Sequence, residues 1–375
     1  LLIQTGGLGV ITFTTGFTLL ARRKLGLREL QLASENTSGD TMDVYQLVRT
    51  ILIFTFSSEL IGAAVLALRF VPKFGAHGIW ISVFTAISAF CNAGFDILGF
   101  EKPDNSLIGY ANDPLVCIPV ALLIIVGGLG FIVIHNIYYA KLFPSLKKKK
   151  RLPLNLHSRV AICMTVALLV IGTVGFLAFE WNNTLEGKNF FQKLLVSFFQ
   201  STSARTAGFA SVDIASEHDI TKLLTVILMF IGAAPGSTGG GVKITTFSVL
   251  IMTVASVLRG REEVVMWNRR VDKSVVYKAV TIVVCAAALV LVASFIISFL
   301  LPQCAFLDII FECTSAFATV GLSSGVTGEA DTISKLILTL LMYLGRVGPV
   351  SFALSLVAGS SSRKEIMPEG KIVVG

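Results

Sequence analysis

Three short apolar runs, each closing on glycine and each set between two long apolar stretches, constrain this chain most. Residues 84–95 read F-T-A-I-S-A-F-C-N-A-G-F, residues 198–209 read F-F-Q-S-T-S-A-R-T-A-G-F, and residues 311–322 read F-E-C-T-S-A-F-A-T-V-G-L. With Gly94, Gly208 and Gly321 aligned, Phe84, Phe198 and Phe311 each stand ten residues upstream, and a hydroxyl recurs six upstream as Ser88, Thr202 and Ser315. The glycines are 114 and 113 residues apart. A period of that length marks a whole structural unit used repeatedly.

The medium in which the units fold follows from composition. Over 375 residues the chain is 54% hydrophobic and 14% charged, with a mean hydropathy of +0.79. Soluble domains carry about 25% charge, so an all-α integral membrane protein is expected. The net charge of +8 does not point to nucleic acid, because the basic residues cluster beside apolar spans. The six cysteines and four histidines show no metal-ligand spacing or disulfide framework. An apolar opening before Arg22-Arg23-Lys24 lacks the n-region and cleavage pattern of a signal peptide; it reads as a chain whose start is missing.

About 20 apolar residues cross a bilayer. Residues 1–20, 44–70 and 114–142 are such stretches, with the short run 78–95 between the latter two. The order long, short, long returns as 158–179, 190–209 and 220–258, then as 275–301, 305–322 and 332–358. The short runs are too brief to span and suit re-entrant helices, whose free carbonyls are tolerable at membrane depth only beside water or ions. The second long stretches share Gly6-Gly7-Leu8-Gly9 and Gly127-Gly128-Leu129-Gly130, altered to Gly345-Arg346-Val347-Gly348 in the last. Four M1–P–M2 units are therefore expected around one pseudo-fourfold pore: residues 1–25 as the second helix of a truncated first unit, 43–146, 155–260 and 272–359, then a tail at 360–375. Basic connections at residues 22–24, 147–151, 259–270 and 363–364 follow the second spans, and acidic residues such as Asp113, Asp213 and Glu329 flank the short runs. By the Lys/Arg rule, the connections between units face the cytoplasm and the short runs enter from outside.

The terminal glycines allow positive φ and close approach of carbonyls to a passing ion. A ring of carbonyls replacing an ion's hydration shell is the potassium-channel device, and Thr319-Val320-Gly321 is half of its T-V-G-Y-G motif. The competing reading is of ordinary buried turns at helix ends. Candidate filter residues are Cys91, Asn92, Ala93 and Gly94, then Arg205, Thr206, Ala207 and Gly208, then Ala318, Thr319, Val320 and Gly321. These segments and the second-span motifs resemble the Trk/Ktr/HKT superfamily of cation-translocating subunits, most of all its bacterial KtrB-type potassium-uptake members, over nearly the whole chain. That resemblance implies four repeats around a single pore, potassium held at the filter carbonyls, and a homodimer in the bacterial plasma membrane. It further implies no covalent cofactor, sodium as an activator, and control by a cytosolic nucleotide-binding ring of the RCK type, such as KtrA. The first filter, which separates potassium-selective from sodium-preferring members, falls upstream of residue 1, so a sodium-preferring member stays open.

Two further features are singled out. Gly232, Ala233, Ala234, Pro235, Gly236, Ser237, Thr238, Gly239, Gly240 and Gly241 put five glycines and a proline within ten residues of one span. Gly costs about 1 kcal/mol and Pro about 3 inside a helix, so a loop at mid-membrane is expected; it resembles the family's gate below the filter, with Lys243 just beyond. A nucleotide P-loop is disfavoured because Val242 separates Gly241 from Lys243 and no strand precedes it. Arg346 sits where the other spans have glycine, and a charge inside a span is functional by default. It is expected in the conduit below the filter as an electrostatic barrier, the alternative being a snorkelling or ion-paired arginine. Glu59 is expected to pin a neighbouring helix end by hydrogen bonds, and Arg205 to point behind the filter. An alternating-access symporter would use inverted repeats, whereas these repeat in one orientation. A membrane enzyme would need a nucleophile–base pair or metal cluster, which the spans lack. The connections 141–159 and 259–273 are the surfaces offered to a regulatory ring or to anionic lipid.

Overall fold

Apolar runs bounded by polar caps become the helices of this chain. The computed structural model describes residues 2–9, 44–101, 106–138, 154–261 and 263–348. Most of the stretch 1–20, the basic clusters at 22–24, 147–151 and 363–364, and the tail 360–375 lie outside the described residues. After α1 (Leu2–Leu8) come α2 (Val44–Phe74), α3 (Ala76–Phe90), α4 (Pro114–Gly128) and α5 (Phe131–Ile137). The next group is α6 (Leu156–Phe179), α7 (Phe190–Ser203), α8 (Asp219–Phe230) and α9 (Ile244–Leu258). A hairpin of β1 (Val265–Met266) and β2 (Arg269–Arg270) leads to α10 (Lys273–Leu300), α11 (Phe306–Phe317), α12 (Val326–Glu329) and α13 (Thr332–Val347).

Starts and stops follow local chemistry. Asp113 accepts from the Leu115 N–H with Pro114 at the first helical position of α4, and Asp272 and Asp331 accept from Ser274 and Ser334 at the starts of α10 and α13; such caps satisfy otherwise orphaned N–H groups. Among the described helices, α2, α6 and α10 are each long and apolar enough to cross a membrane, and the pair α4–α5 makes a fourth if counted as one broken span. Their outward faces carry Phe56, Leu60 and Leu68, then Val166 and Val170, then Phe295 and Phe299. Apolar faces of this kind suit lipid rather than water. With the family assigned below, they make the chain a multi-pass, all-α membrane protein.

The short helices α3, α7 and α11 are instead buried toward their C-terminal ends, while their first turns expose Ile79 and Trp80, Phe190 and Phe191, and Phe306. Phe90, Phe199, Phe311 and Phe317 are among the largest fully enclosed side chains. Each short helix packs against the long helix before it, α3 on α2, α7 on α6 and α11 on α10. The first core cluster gathers α2, α3 and α4, the second joins α6, α8 and the turn at 318–322, and the third joins α10, α11 and α13.

One expectation about spans changes. The stretch 114–142 is not one helix: α4 and α5 meet at a 96° bend. The bend sits at Gly130, with φ 88°, where an added Cβ would stand 2.7 Å from the Pro235 carbonyl oxygen. The matching Gly9 and Gly348 also have left-handed φ, 81° and 93°, and α1 and α13 stop beside them. The shared glycine motif is thus a helix stop as well as a close-packing surface. The stretch 220–258, as its glycines require, divides into α8 and α9 around a loop.

Candidate functional site

The three short helices end in turns of the same construction. Asn92, Thr206 and Thr319 have φ of 50°, 71° and 54°, and two residues on Gly94, Gly208 and Gly321 have 70°, 86° and 96°. Left-handed φ at a non-glycine residue is uncommon and for β-branched threonine an outlier, so finding it at three aligned positions marks imposed geometry. Backbone hydrogen bonds back to the helix hold each turn: Ala93 N to Ser88 O (2.9 Å), Gly208 N to Ser203 O (3.3 Å) and Val320 N to Ser315 O (2.8 Å).

These turns meet. A Cβ built on Gly94 would collide with the Ala207 carbonyl oxygen and stand 3.0 Å from the Gly208 Cα; one on Gly208 would collide with the Val320 carbonyl and stand 3.3 Å from the Gly321 Cα. The candidate filter residues from 91–94, 205–208 and 318–321 are therefore brought side by side, backbone against backbone. The second long helices allow it by closing on the short helices' ends. Added Cβ atoms on Gly127 and Gly345 would collide with the Phe90 and Phe317 carbonyls respectively.

Side chains brace the turns from behind. Ser88 Oγ donates to the Phe95 carbonyl (2.7 Å), Ser315 Oγ accepts from Gly321 N (3.2 Å), and in the middle turn Ser203, not the aligned Thr202, donates to the Phe209 carbonyl. Thr202 instead donates to the Phe198 carbonyl in its own helix. The reason is length. The caps Cys91 and Ala318 precede their glycines by three residues, while the cap Ala204 precedes Gly208 by four, which moves the bracing hydroxyl one residue along.

Sequence reasoning passed over a second brace. Gln200 accepts from the Ser211 hydroxyl (3.2 Å). Glu312, eleven residues before Ser323 as Gln200 is before Ser211, accepts from the Ser323 hydroxyl and from Thr327 Oγ1 (3.0 Å). A carboxylate and an amide in apolar runs were the available signal. Glu59 does pin a neighbouring helix: it is buried on α2 and accepts from Gln4 Nε2 at 2.7 Å, with Cys91 Sγ 3.9 Å away. Arg205 is buried on a small cavity with Ile124, Leu169 and Thr202, and its Nε has no hydrogen-bond partner among the described residues.

Directly against these turns lies the glycine-rich loop 232–241. Added Cβ atoms on Gly239 and Gly240 would collide with the hydroxyls of Thr206 and Thr319, so only glycine permits this approach. The loop closes on itself through Gly232 N to Val242 O (2.9 Å) and Ile244 N to Ala233 O (3.2 Å). It is bound to the broken α4–α5 helix by Ala234 N to Gly128 O (3.0 Å) and by Phe131 N to Gly236 O (2.8 Å). Thr238 Oγ1 donates to the Phe90 carbonyl at 3.1 Å, and Lys243 Nζ to the Gly239 carbonyl at 2.7 Å. Arg346 reaches in from α13: Nη1 donates to the Thr238 carbonyl at 2.6 Å and Nη2 to the Gly6 carbonyl. One guanidinium thus joins the loop to α1 and α13. Sequence reasoning expected Arg346 in the conduit below the filter and did not foresee these two partners. Pro235, Ser237 and Gly241 complete the loop; Ser237 Oγ has no partner among the described residues.

The family model TrkH, described as a cation transport protein, matches residues 1–364. The chain is 37% identical over 378 residues to the Ktr system potassium uptake protein B of Bacillus subtilis, covering all of this chain and 82% of that protein. It is also 37% identical over 382 residues to the potassium/sodium uptake protein NtpJ of Enterococcus hirae, again across all of this chain and 82% of the relative. The crystal structure of the potassium transporter TrkH from Vibrio parahaemolyticus matches with a TM-score of 0.67 at 17% identity, covering 94% of this chain and 69% of that one, and shows a shared fold. Placed beside the three converging turns and the loop packed against them, the match across nearly the whole length settles the lineage: this chain belongs to the TrkH family of cation transport proteins.

Proposed function

We propose that the chain is a channel-like potassium-uptake subunit in which M1–P–M2 units surround one pore. Potassium passes between the backbone carbonyls of residues 91–94, 205–208 and 318–321, and the loop 232–241 closes the passage beneath them. The observation that carries this reading is the aligned pair of left-handed residues in each turn, Asn92/Gly94, Thr206/Gly208 and Thr319/Gly321. Alternating the hand of successive residues aims their carbonyls to one side, which is what a filter that replaces a hydration shell needs. The relatives named as potassium and potassium/sodium uptake proteins supply the ion class.

The structure favours a closed pathway in this arrangement. Gly239 and Gly240 lie against Thr206 and Thr319, and in this reading the loop moves to let an ion pass below those residues. The loop's tethers come from separate helices, so a shift in any one loosens it. Arg346 serves twice: its positive charge opposes a cation in the conduit, and its hydrogen bonds hold Thr238 in place. A homodimer in the bacterial plasma membrane, with basic connections facing the cytoplasm, follows from the same reading. Control then comes through a separate nucleotide-binding ring such as KtrA, docking at 141–159 and 259–273, and sodium acts as an activator.

Expression in a potassium-uptake-deficient host tests this, paired with K⁺, Rb⁺ and Na⁺ flux in proteoliposomes. Growth rescue at low potassium with K⁺ and Rb⁺ flux exceeding Na⁺ flux is expected. A sodium-preferring pathway would reverse that order, an alternating-access symporter would make flux require a second ion at fixed stoichiometry, and absence of both rescue and flux refutes a cation pathway.

A further inference from the structure

We infer that the groove between the β1–β2 hairpin and the facing ends of α9 and α10 is a binding site for the phosphate headgroup of an anionic phospholipid. It has a volume of about 250 Å³, and Arg261, Arg270 and Lys273 line it together with Glu263, Val257 and Tyr277. The inference rests on reading α9 and α10 as membrane-crossing, but not on the filter or on the gate.

The local sequence puts the charges there. Residues 259–278 hold six Lys/Arg and three Asp/Glu, so the stretch is net positive. The α9 helix stops at Leu258, with Arg261 N bonded back to the Ser256 carbonyl. Trp267 and Asn268, with φ 45° and 60°, form a two-residue turn that pairs Val265 with Arg270 and Met266 with Arg269. Positive φ at both turn residues matches the right-handed twist of a hairpin. Met266 is buried and anchors the hairpin, and Val271 N bonds to the Val264 carbonyl (2.9 Å), extending the closure. The chain is thereby folded back so that Arg270 and Lys273 share a groove with Arg261.

Charge and surface then favour one occupant. Glu263 pairs with Arg270 at 2.9 Å, while Arg261 and Lys273 enter no ion pair among the described residues. Arg and Lys together suit a phosphate, Arg by its fork and Lys as a point charge. Directly beside the charges, Val257 is 68% exposed, Leu258 82% and Tyr277 70%. This is an apolar wall for acyl chains at the level where the helices enter the bilayer, with Tyr277 and Trp267 at the headgroup boundary as aromatic residues prefer. A soluble anion would use the charges and leave that wall unused. Basic pockets between membrane helices are the usual seats of anionic headgroups, and each basic charge is worth roughly a fivefold change in affinity.

Purified full-length chain in nonionic detergent, titrated with phosphatidylglycerol, tests the site by thermal shift and by native mass spectrometry. Phosphatidylglycerol is expected to stabilise it and to remain bound. Phosphatidylcholine of the same chain length and soluble glycerol phosphate are expected to do neither. Arg261→Gln with Lys273→Gln is expected to weaken phosphatidylglycerol binding roughly thirtyfold, Glu263→Gln to strengthen it, and Lys278→Gln, outside the groove, to leave it unchanged. Unchanged phosphatidylglycerol affinity in the double variant overturns the proposal. So does equal stabilisation by glycerol phosphate, or a double variant that keeps lipid but loses a co-purifying soluble subunit. Cation flux measured on the same preparations separates failure of this site from failure of the proposed transport.

Discussion

Arg346 gives the most informative single perturbation. Its two hydrogen bonds, to the Thr238 and Gly6 carbonyls, are charge-assisted, a class worth about 1.5–3 kcal/mol each. Arg346 is exposed, and water competes for exposed hydrogen-bonding groups, so roughly half of that sum, about 1.5–3 kcal/mol, is the expected loss of closed-loop stability. At 1.4 kcal/mol per tenfold, Arg346→Ala should raise the open population about 10- to 150-fold, up to saturation. The assay is ⁸⁶Rb⁺ flux from proteoliposomes in both directions. Arg346→Lys separates the two roles: it keeps the charge but cannot span both carbonyls. If the fork matters, Lys resembles Ala; if only the barrier matters, Lys resembles the parent. Wild-type flux and rectification in Arg346→Ala would show that neither role is real.

Gly208→Ala puts a Cβ into the Val320 carbonyl at a φ of 86° and should reduce uptake at least 100-fold. Gly187→Ala, at a similar φ of 73° but in open space, should retain uptake; equal loss in both would remove the special status of position 208. Lys222 and Asp308 form a largely buried ion pair at 2.8 Å joining α8 to α11. Lys222→Met should cost about 3 kcal/mol, read as a lower melting temperature, and adding Asp308→Asn should restore most of it. Glu217, in the connection between α7 and α8, is buried with both carboxylate oxygens unpartnered among the described residues, and burial, with Glu180 nearby, pushes its carboxyl well above the usual range. The folded state then holds a proton that the unfolded state has released, so this residue's contribution to stability is full below pH about 4.3 and declines as pH rises. Glu217→Gln should raise the melting temperature at pH 7 and flatten its decline between pH 5 and 8; a steeper decline would contradict this.

The short helices and the loop were legible because their signals are coarse. An apolar run too short to span has few options in a membrane, and so many glycines around Pro235 cannot remain helical. The 96° break after α4 was hidden because Gly127, Gly128 and Gly130 also read as a close-packing face of a continuous helix. What decides it is the left-handed φ at Gly130, forced by the Pro235 carbonyl and by Phe131 N bonding Gly236, partners more than a hundred residues away. Ser203 was overlooked for Thr202 because alignment on glycines assumes equal spacing from the helix end, and the middle turn, ending at Gly208, is one residue longer. Glu312 was visible as a lone carboxylate in an apolar run, but its partners Ser323 and Thr327 lie beyond the turn, and only the fold brings them back. The clamp made by Arg346 joins residues 6, 238 and 346, a closure no local pattern encodes.

The most direct test of a shared ion pathway through the three turns is to locate the ion. Crystals or grids prepared in Tl⁺ or Rb⁺ should show anomalous or added density on one axis between the carbonyls of residues 92–94, 206–208 and 319–321, and that density should vanish in Gly208→Ala. Bound ions found elsewhere in the protein, with flux intact and the space between these turns empty, would contradict it.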